Sequence, residues 1–95
     1  MTIEDSVKAA EQGYITTIGY TPSSSNDFDP KMMRDIIQKH NFVAVRAGLD
    51  YSKLETCPKN LQKDVLIEQI AIAKENNLPA YLSYFDSFPD FLLIL

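Results

Sequence analysis

Apolar side chains recur every three or four residues in three stretches of the chain, a spacing that predicts amphipathic helices. The first stretch ends before Gly13, since glycine adopts the left-handed conformation that closes a helix at little cost. The second follows Asp29, whose side chain can cap a helix that has Pro30 as its first residue. These three predicted helices cover residues 3–11, a segment from Pro30 with Met33, Ile36, Ile37 and His40 on one face, and residues 58–76. A further helical segment is predicted to begin near Ser87.

Three shorter stretches are rich in β-branched and aromatic residues, which is typical of strands. They lie at residues 14–20, 42–50 and 80–85, and a polar segment predicted as a loop covers residues 21–29. Strands that alternate with helices form parallel sheets through right-handed crossovers. The sequence therefore predicts an α/β fold in which about three parallel strands alternate with helices.

Chemistry in such folds is found at the carboxyl ends of the strands. Here those ends are residues 19–21, 46–50 and 83–86. Arg46 therefore stands where α/β enzymes usually keep the acidic residues that hold metals.

Length, charge and cysteine content limit the classes of protein and partner. The chain has 95 residues, enough for one domain, and its net charge of -4 argues against sequence-independent binding to nucleic-acid backbones, which requires a basic surface. A single cysteine, Cys57, cannot form an internal disulfide, so we expect a reducing compartment: the cytoplasm, with the nucleus left open. We see no signal peptide and no run of about 18 apolar residues, so no membrane partner is expected.

Several motifs occur in the order and spacing of a known family. They are "VRAGLDY" at residues 45–51, "CPK" at 57–59, Gln62, and "LP" at 78–79. Together they resemble the TatD-type metal-dependent deoxyribonucleases, over roughly residues 14–95. The resemblance implies a partial TIM-type barrel, to which this chain contributes about three of eight strands. We expect a single truncated domain, residues 1–95, because the final "DFLLIL" ends without a helix cap.

The resemblance also implies a divalent metal such as magnesium, but the corresponding positions differ here. The family's strand glutamate, a metal ligand, corresponds to Arg46, and a histidine ligand corresponds to Ser83. A further family histidine corresponds to Thr21, and a family arginine to Phe85. Serine is a poor metal ligand, and a guanidinium repels a cation by about 4 kcal/mol per unit charge at 4 Å and an effective dielectric constant near 20. We predict that no catalytic residue is retained and that no metal cofactor is bound.

Other motif residues are kept. They are Gly48, Leu49, Asp50, Tyr51, Gln62 and Pro79. We expect Asp50 and Tyr51 to shape the turn after the strand, and Gln62 to pack or form hydrogen bonds at the start of its helix. We expect His40 to be solvated at a helix end and Cys57 to be a partly buried small residue, rather than a catalytic base and a nucleophile.

Inherited barrel geometry would point Arg46 inward, on the strand face of Phe42 and Ala44. A half-buried cation needs an anionic partner, and Asp50 and Asp86 are the nearest candidates. Two roles stay open for the guanidinium: it fills the place of a lost metal and ligand, or it binds a substrate phosphate as a bidentate donor.

We therefore expect a TatD-like chain that does not cut nucleic acid by the family mechanism. One alternative is a non-catalytic protein-interaction module, because the exposed edges and apolar face of a small sheet recruit a protein partner or a second copy of the chain. The other alternative is a residual metal-dependent deoxyribonuclease that acts on phosphodiester bonds as an oligomer.

Overall fold

The computed structural model of the chain describes residues 3–54 and 57–85. Asp86 and the helical segment predicted near Ser87 lie outside the described residues. The helices are α1 (Ile3–Glu11), α2 (Pro30–Lys39) and α3 (Lys59–Glu75), with short 3₁₀ helices at Pro22–Asp27 and Tyr51–Lys53. The strands are β1 (Thr17–Ile18), β2 (Ala44–Asp50) and β3 (Ala80–Phe85). No helix in this part of the chain combines the length and apolar character needed to cross a bilayer.

Local signals set the helix ends as the sequence predicts. The Asp29 side chain accepts a hydrogen bond from the backbone N–H of Met32 at 3.0 Å, and Pro30 begins α2. Gly13 follows α1 with a φ of 84°, a left-handed conformation that glycine adopts without steric cost. The first helix occupies the predicted residues Ile3–Glu11.

The sheet is parallel and has the order β1-β2-β3. Ile18 of β1 lies opposite Val45 of β2, and Val45 lies opposite Ala80 of β3. Helical segments follow β1 and β2 along the chain and lead to the next strand, as expected for parallel strands that need crossover connections. The predicted α/β fold, with three parallel strands alternating with helices, is confirmed.

The first strand is much shorter than the predicted segment 14–20. Tyr14 and Ile15 lie outside the sheet and are 64% and 83% exposed. Past Ile18, the backbone N–H and carbonyl of Tyr20 bind a side chain of α3 instead of a neighbouring strand. The prediction failed because a long-range contact, not local propensity, decides where this strand ends.

The polar segment predicted as a loop forms a 3₁₀ helix, Pro22–Asp27. Proline begins it, and the Ser25 hydroxyl donates to the Pro22 carbonyl at 2.8 Å. Serine and proline favour such short turns because they supply local hydrogen bonds and a fixed φ. The segment is therefore ordered by its own side chains.

The two faces of β2 have different surroundings. Val45 and Leu49 are buried in the core that α3 covers, and alternation along the strand places Arg46 on the other face. Ala44 shares the face of Arg46, as predicted. Phe42 precedes β2 and packs in the same core as Val45, so it does not share the face of Arg46 as predicted.

An ion-pair network joins α2 to α3. Arg34 donates from Nε to Glu75 at 2.9 Å and from Nη2 to Glu68 at 2.6 Å. The hydrogen bond from Arg34 lowers the pKa of the Glu75 carboxyl below its usual value. These side chains are partly exposed, so water and salt screen the network and it contributes little to stability.

Candidate functional site

A pocket of about 240 Å³ lies just past the end of β1, against β2 and β3. Thr21 follows β1, Arg46 lies in β2 and Ser83 lies in β3, and all three line this cavity, which we call the Arg46 pocket. Three of the four positions that differ from the family pattern therefore come together in the structure. The side chain of the fourth, Phe85, lies outside the described part.

Arg46 contributes the charged group among the described residues that line the pocket. Its Nε and Nη2 atoms are buried from water and have no hydrogen-bond partner within the described ranges. Asp50, one of the two candidates for an anionic partner, instead accepts a hydrogen bond from the Ser52 backbone N–H at 3.0 Å and does not bind Nε or Nη2 of Arg46, so this candidate is wrong. The other candidate, Asp86, lies outside the described residues. A buried charged donor without an acceptor raises the free energy of the folded state, and most buried polar groups in proteins have a partner for this reason.

The donor set of this pocket does not fit a divalent cation. Thr21 and Ser83 offer hydroxyl groups, and burial raises the pKa of the Tyr20 phenol above its usual value, so that this lining residue is neutral at physiological pH. Metals that assist hydrolysis need several carboxylate or imidazole ligands that converge on one point. Across residues 3–54 and 57–85, no three His, Cys, Asp or Glu side chains are placed to hold a metal ion. The Arg46 guanidinium would also repel such an ion.

Gln69, on the buried face of α3, holds the backbone that leads into the pocket. Its Oε1 accepts the Tyr20 N–H at 2.6 Å, and its Nε2 donates to the Tyr20 carbonyl at 3.1 Å. The amide thereby satisfies the two backbone groups that a neighbouring strand would otherwise bind. Sequence reasoning did not predict this role. The available signal was a glutamine among the apolar residues of α3, because a buried amide must form hydrogen bonds.

A second buried glutamine, Gln62, lies about two turns earlier on α3. It accepts the Asp50 N–H at 2.8 Å and donates to the carbonyls of Asp50 at 3.0 Å and Cys57 at 2.7 Å. These three hydrogen bonds join the end of β2 to the turn that precedes α3. Gln62 therefore fixes how the strand ends, and it does so without facing the pocket.

Two glycines allow close backbone approach beside the pocket: Gly19, just after β1, lies against β2, and Gly48 of β2 lies against β3. A Cβ atom at Gly19 would lie 1.8 Å from the carbonyl oxygen of Arg46, and one at Gly48 would lie 2.3 Å from the carbonyl oxygen of Ser83. Contacts this short do not occur between real atoms. The motif glycine, Gly48, is therefore required for packing.

The remaining motif residues lie around the turn after β2 and at the start of β3. Asp50 precedes the second 3₁₀ helix and caps it through Ser52. The Lys59 ammonium lies 4.9 Å from the centre of the Tyr51 ring, a cation–π contact. The Pro79 carbonyl accepts the Val45 N–H at 2.9 Å, which aligns β3 with β2.

Neither His40 nor Cys57 lines the Arg46 pocket. His40 lies at the end of α2 as predicted, but it is half-buried and only partly open to solvent, and its ring meets that of Phe42 edge-on at 6.3 Å. Cys57 is completely buried, not partly as predicted, and its sulfur lies 3.6 Å from Nδ2 of Asn26. Both residues are placed by packing.

Comparison with known proteins gives the family context. The chain matches the family described as TatD related DNase over residues 2–95. It is 35% identical over 82 residues to an uncharacterized metal-dependent hydrolase, YabD, of Bacillus subtilis (strain 168). The alignment covers 82% of this chain and 32% of that protein.

The fold is also found in a solved structure. A crystal structure of an uncharacterized amidohydrolase from Saccharomyces cerevisiae superposes with a TM-score of 0.84 at 21% identity, over 98% of this chain and 37% of that one. The three parallel strands thus form part of a TIM-type barrel architecture, and the chain spans about a third of the length of both proteins. Because the family match extends over residues 2–95, we conclude that this chain belongs to the TatD related DNase family.

Proposed function

We propose that this chain is a TatD-related protein that has no metal-dependent nuclease activity and that uses the Arg46 pocket for binding. The observation that carries the proposal is the guanidinium of Arg46, which is buried at Nε and Nη2 without an acceptor among residues 3–54 and 57–85, at a position where the family resemblance implies a metal ligand. A cation in this position and a divalent metal exclude one another electrostatically.

The described residues that line the pocket also offer no group that could take a proton from an attacking water. Its described lining residues include no carboxylate and no imidazole, and the hydroxyl groups of Thr21 and Ser83 are not bases at neutral pH. The Tyr20 phenol, whose pKa is raised by burial, stays protonated as well. Arg46 can therefore orient an anion, but binding that is equal in the ground state and the transition state does not accelerate a reaction.

A cleavage assay tests the proposal. The purified chain, incubated with single-stranded or double-stranded DNA and with magnesium or manganese, should release no product above the rate of a protein-free sample. An Arg46→Ala variant prepared in the same way controls for contaminating nucleases, because contamination appears equally in both preparations. Chelator-sensitive cleavage by the wild-type chain that Arg46→Ala abolishes would contradict the proposal.

A further inference from the structure

Arg46 presents two hydrogen-bond donors that the described residues do not satisfy. Nε and Nη2 form the side of the guanidinium that binds two oxygens of one oxyanion in parallel. Both atoms are buried, and no acidic side chain belongs to the described lining of the pocket. An anion that enters from solvent would supply the acceptors that are missing.

The surroundings of Arg46 add donors without adding negative charge. Ser83 is exposed on β3, and Thr21 exchanges a hydrogen bond with Ser24 at 3.1 Å, in which either hydroxyl can donate. Thr21 approaches the cavity from the segment after β1 and Ser83 approaches from β3, while Arg46 approaches from β2. Donors from several directions suit a tetrahedral oxyanion better than a planar carboxylate, whose two oxygens the guanidinium alone can engage.

We propose that the Arg46 pocket binds a phosphate group, either as inorganic phosphate or as a small phosphate monoester. The cavity of about 240 Å³ equals about eight times the roughly 30 Å³ that one water occupies in the liquid, which is room for a phosphate with a small substituent. The net charge of -4 disfavours a long polyanion, because the chain as a whole repels added negative charge. This inference rests on the proposed function, since a pocket that held a divalent metal would not present a free guanidinium.

Binding requires the guanidinium to turn its covered Nε–Nη2 side toward the open part of the cavity. Charge-assisted hydrogen bonds formed there are strengthened because the site is partly shielded from water. The Nε and Nη2 donors of Arg46, which no described residue satisfies in the free chain, then have acceptors on the anion. This gain in hydrogen bonding favours the bound state.

Calorimetric titration with inorganic phosphate, phenyl phosphate and acetate tests the proposal. We expect both phosphates to bind the wild-type chain and acetate to bind more weakly. Arg46→Gln should weaken phosphate binding by at least about tenfold, the effect of losing charge-assisted hydrogen bonds. Arg34→Gln removes the same charge from the ion-pair network on α2 and α3. It should change the affinity by less than about twofold, because Arg34 does not line the pocket and its partly exposed charge is screened.

Two further measurements locate the anion at Arg46 even if Arg46→Gln does not fold. The NMR signal of the Arg46 Nε–H group should shift with the same midpoint as the calorimetric titration, which places the anion without any variant. If Arg46→Gln does not fold, Arg46→Lys keeps the charge but not the paired donors, and it should also lose affinity.

Three outcomes would overturn the inference: no heat and no Nε–H shift in the wild-type chain, equal weakening by Arg46→Gln and Arg34→Gln, or acetate binding as tight as phosphate binding. The proposed function fails separately. Phosphate binding together with chelator-sensitive DNA cleavage would contradict the loss of nuclease activity, whereas a chain that neither cleaves DNA nor binds phosphate would contradict only the present inference.

Discussion

Gln62→Ala should lower the free energy of unfolding by about 3–5 kcal/mol, because it removes one hydrogen bond that the side chain accepts and two that it donates. Each buried polar group left unsatisfied destabilises the folded state by about 1–3 kcal/mol. The groups affected are the N–H and carbonyl of Asp50 and the carbonyl of Cys57. Domains of this size are stable by only about 5–15 kcal/mol, so the change is large. Urea unfolding followed by circular dichroism measures it.

Gln38→Ala is the matched control. Gln38 is exposed and donates a single hydrogen bond to Asn76 at 3.1 Å. Its replacement should change the free energy of unfolding by no more than about 0.5 kcal/mol, as is usual for surface positions. If the two variants were equally stable, water would be satisfying the end of β2, and Gln62 would have no structural role.

Gly19→Ala should destabilise the chain by at least about 3 kcal/mol, the upper part of the range for overpacking, or prevent folding. The added Cβ would lie 1.8, 2.8 and 3.0 Å from the carbonyl oxygen, carbonyl carbon and nitrogen of Arg46. All three are backbone atoms, so no side chain can rotate away and β1 must separate from β2. The midpoint of thermal unfolding is the readout.

Gly13→Ala separates this steric effect from backbone strain. A Cβ at Gly13 would have no neighbour within 4 Å, but the φ of 84° disfavours an L-residue. We expect Gly13→Ala to lower the free energy of unfolding by about 1–2 kcal/mol, the energy by which an L-residue disfavours the left-handed conformation. A Gly19→Ala variant that is more stable than Gly13→Ala would show that β1 and β2 are not packed as closely as described.

The helix ends were predictable from the sequence because their causes are local. Gly13 and the pair Asp29 and Pro30 act within a few residues of the ends that they set. The extent of β1 was not predictable in this way. It depends on Gln69, a residue 49 positions away in the chain from the Tyr20 backbone that it binds.

The candidate site, too, was only partly predictable from the sequence. The resemblance to TatD-type proteins pointed to Thr21, Arg46 and Ser83, and the structure places all three around one cavity. It did not reveal that Arg46 lacks an anionic partner among the described residues. Asp50 was the obvious candidate, but its carboxylate accepts the backbone N–H of Ser52, only two residues away. A local hydrogen bond of this kind competes effectively with a longer-range ion pair.

Both proposed properties of the Arg46 pocket, the loss of the metal and the binding of phosphate, depend on the positive charge of the guanidinium. Paramagnetic broadening of amide NMR signals by manganese tests it directly, because the ion broadens only nuclei close to where it is held. With equimolar Mn²⁺, we predict that the amide signals of Arg46 and Ser83 keep their intensity relative to acidic surface positions such as Asp35 and Asp64. Selective loss of the Arg46 and Ser83 signals in the wild-type chain would show a bound cation in the pocket and would contradict the account.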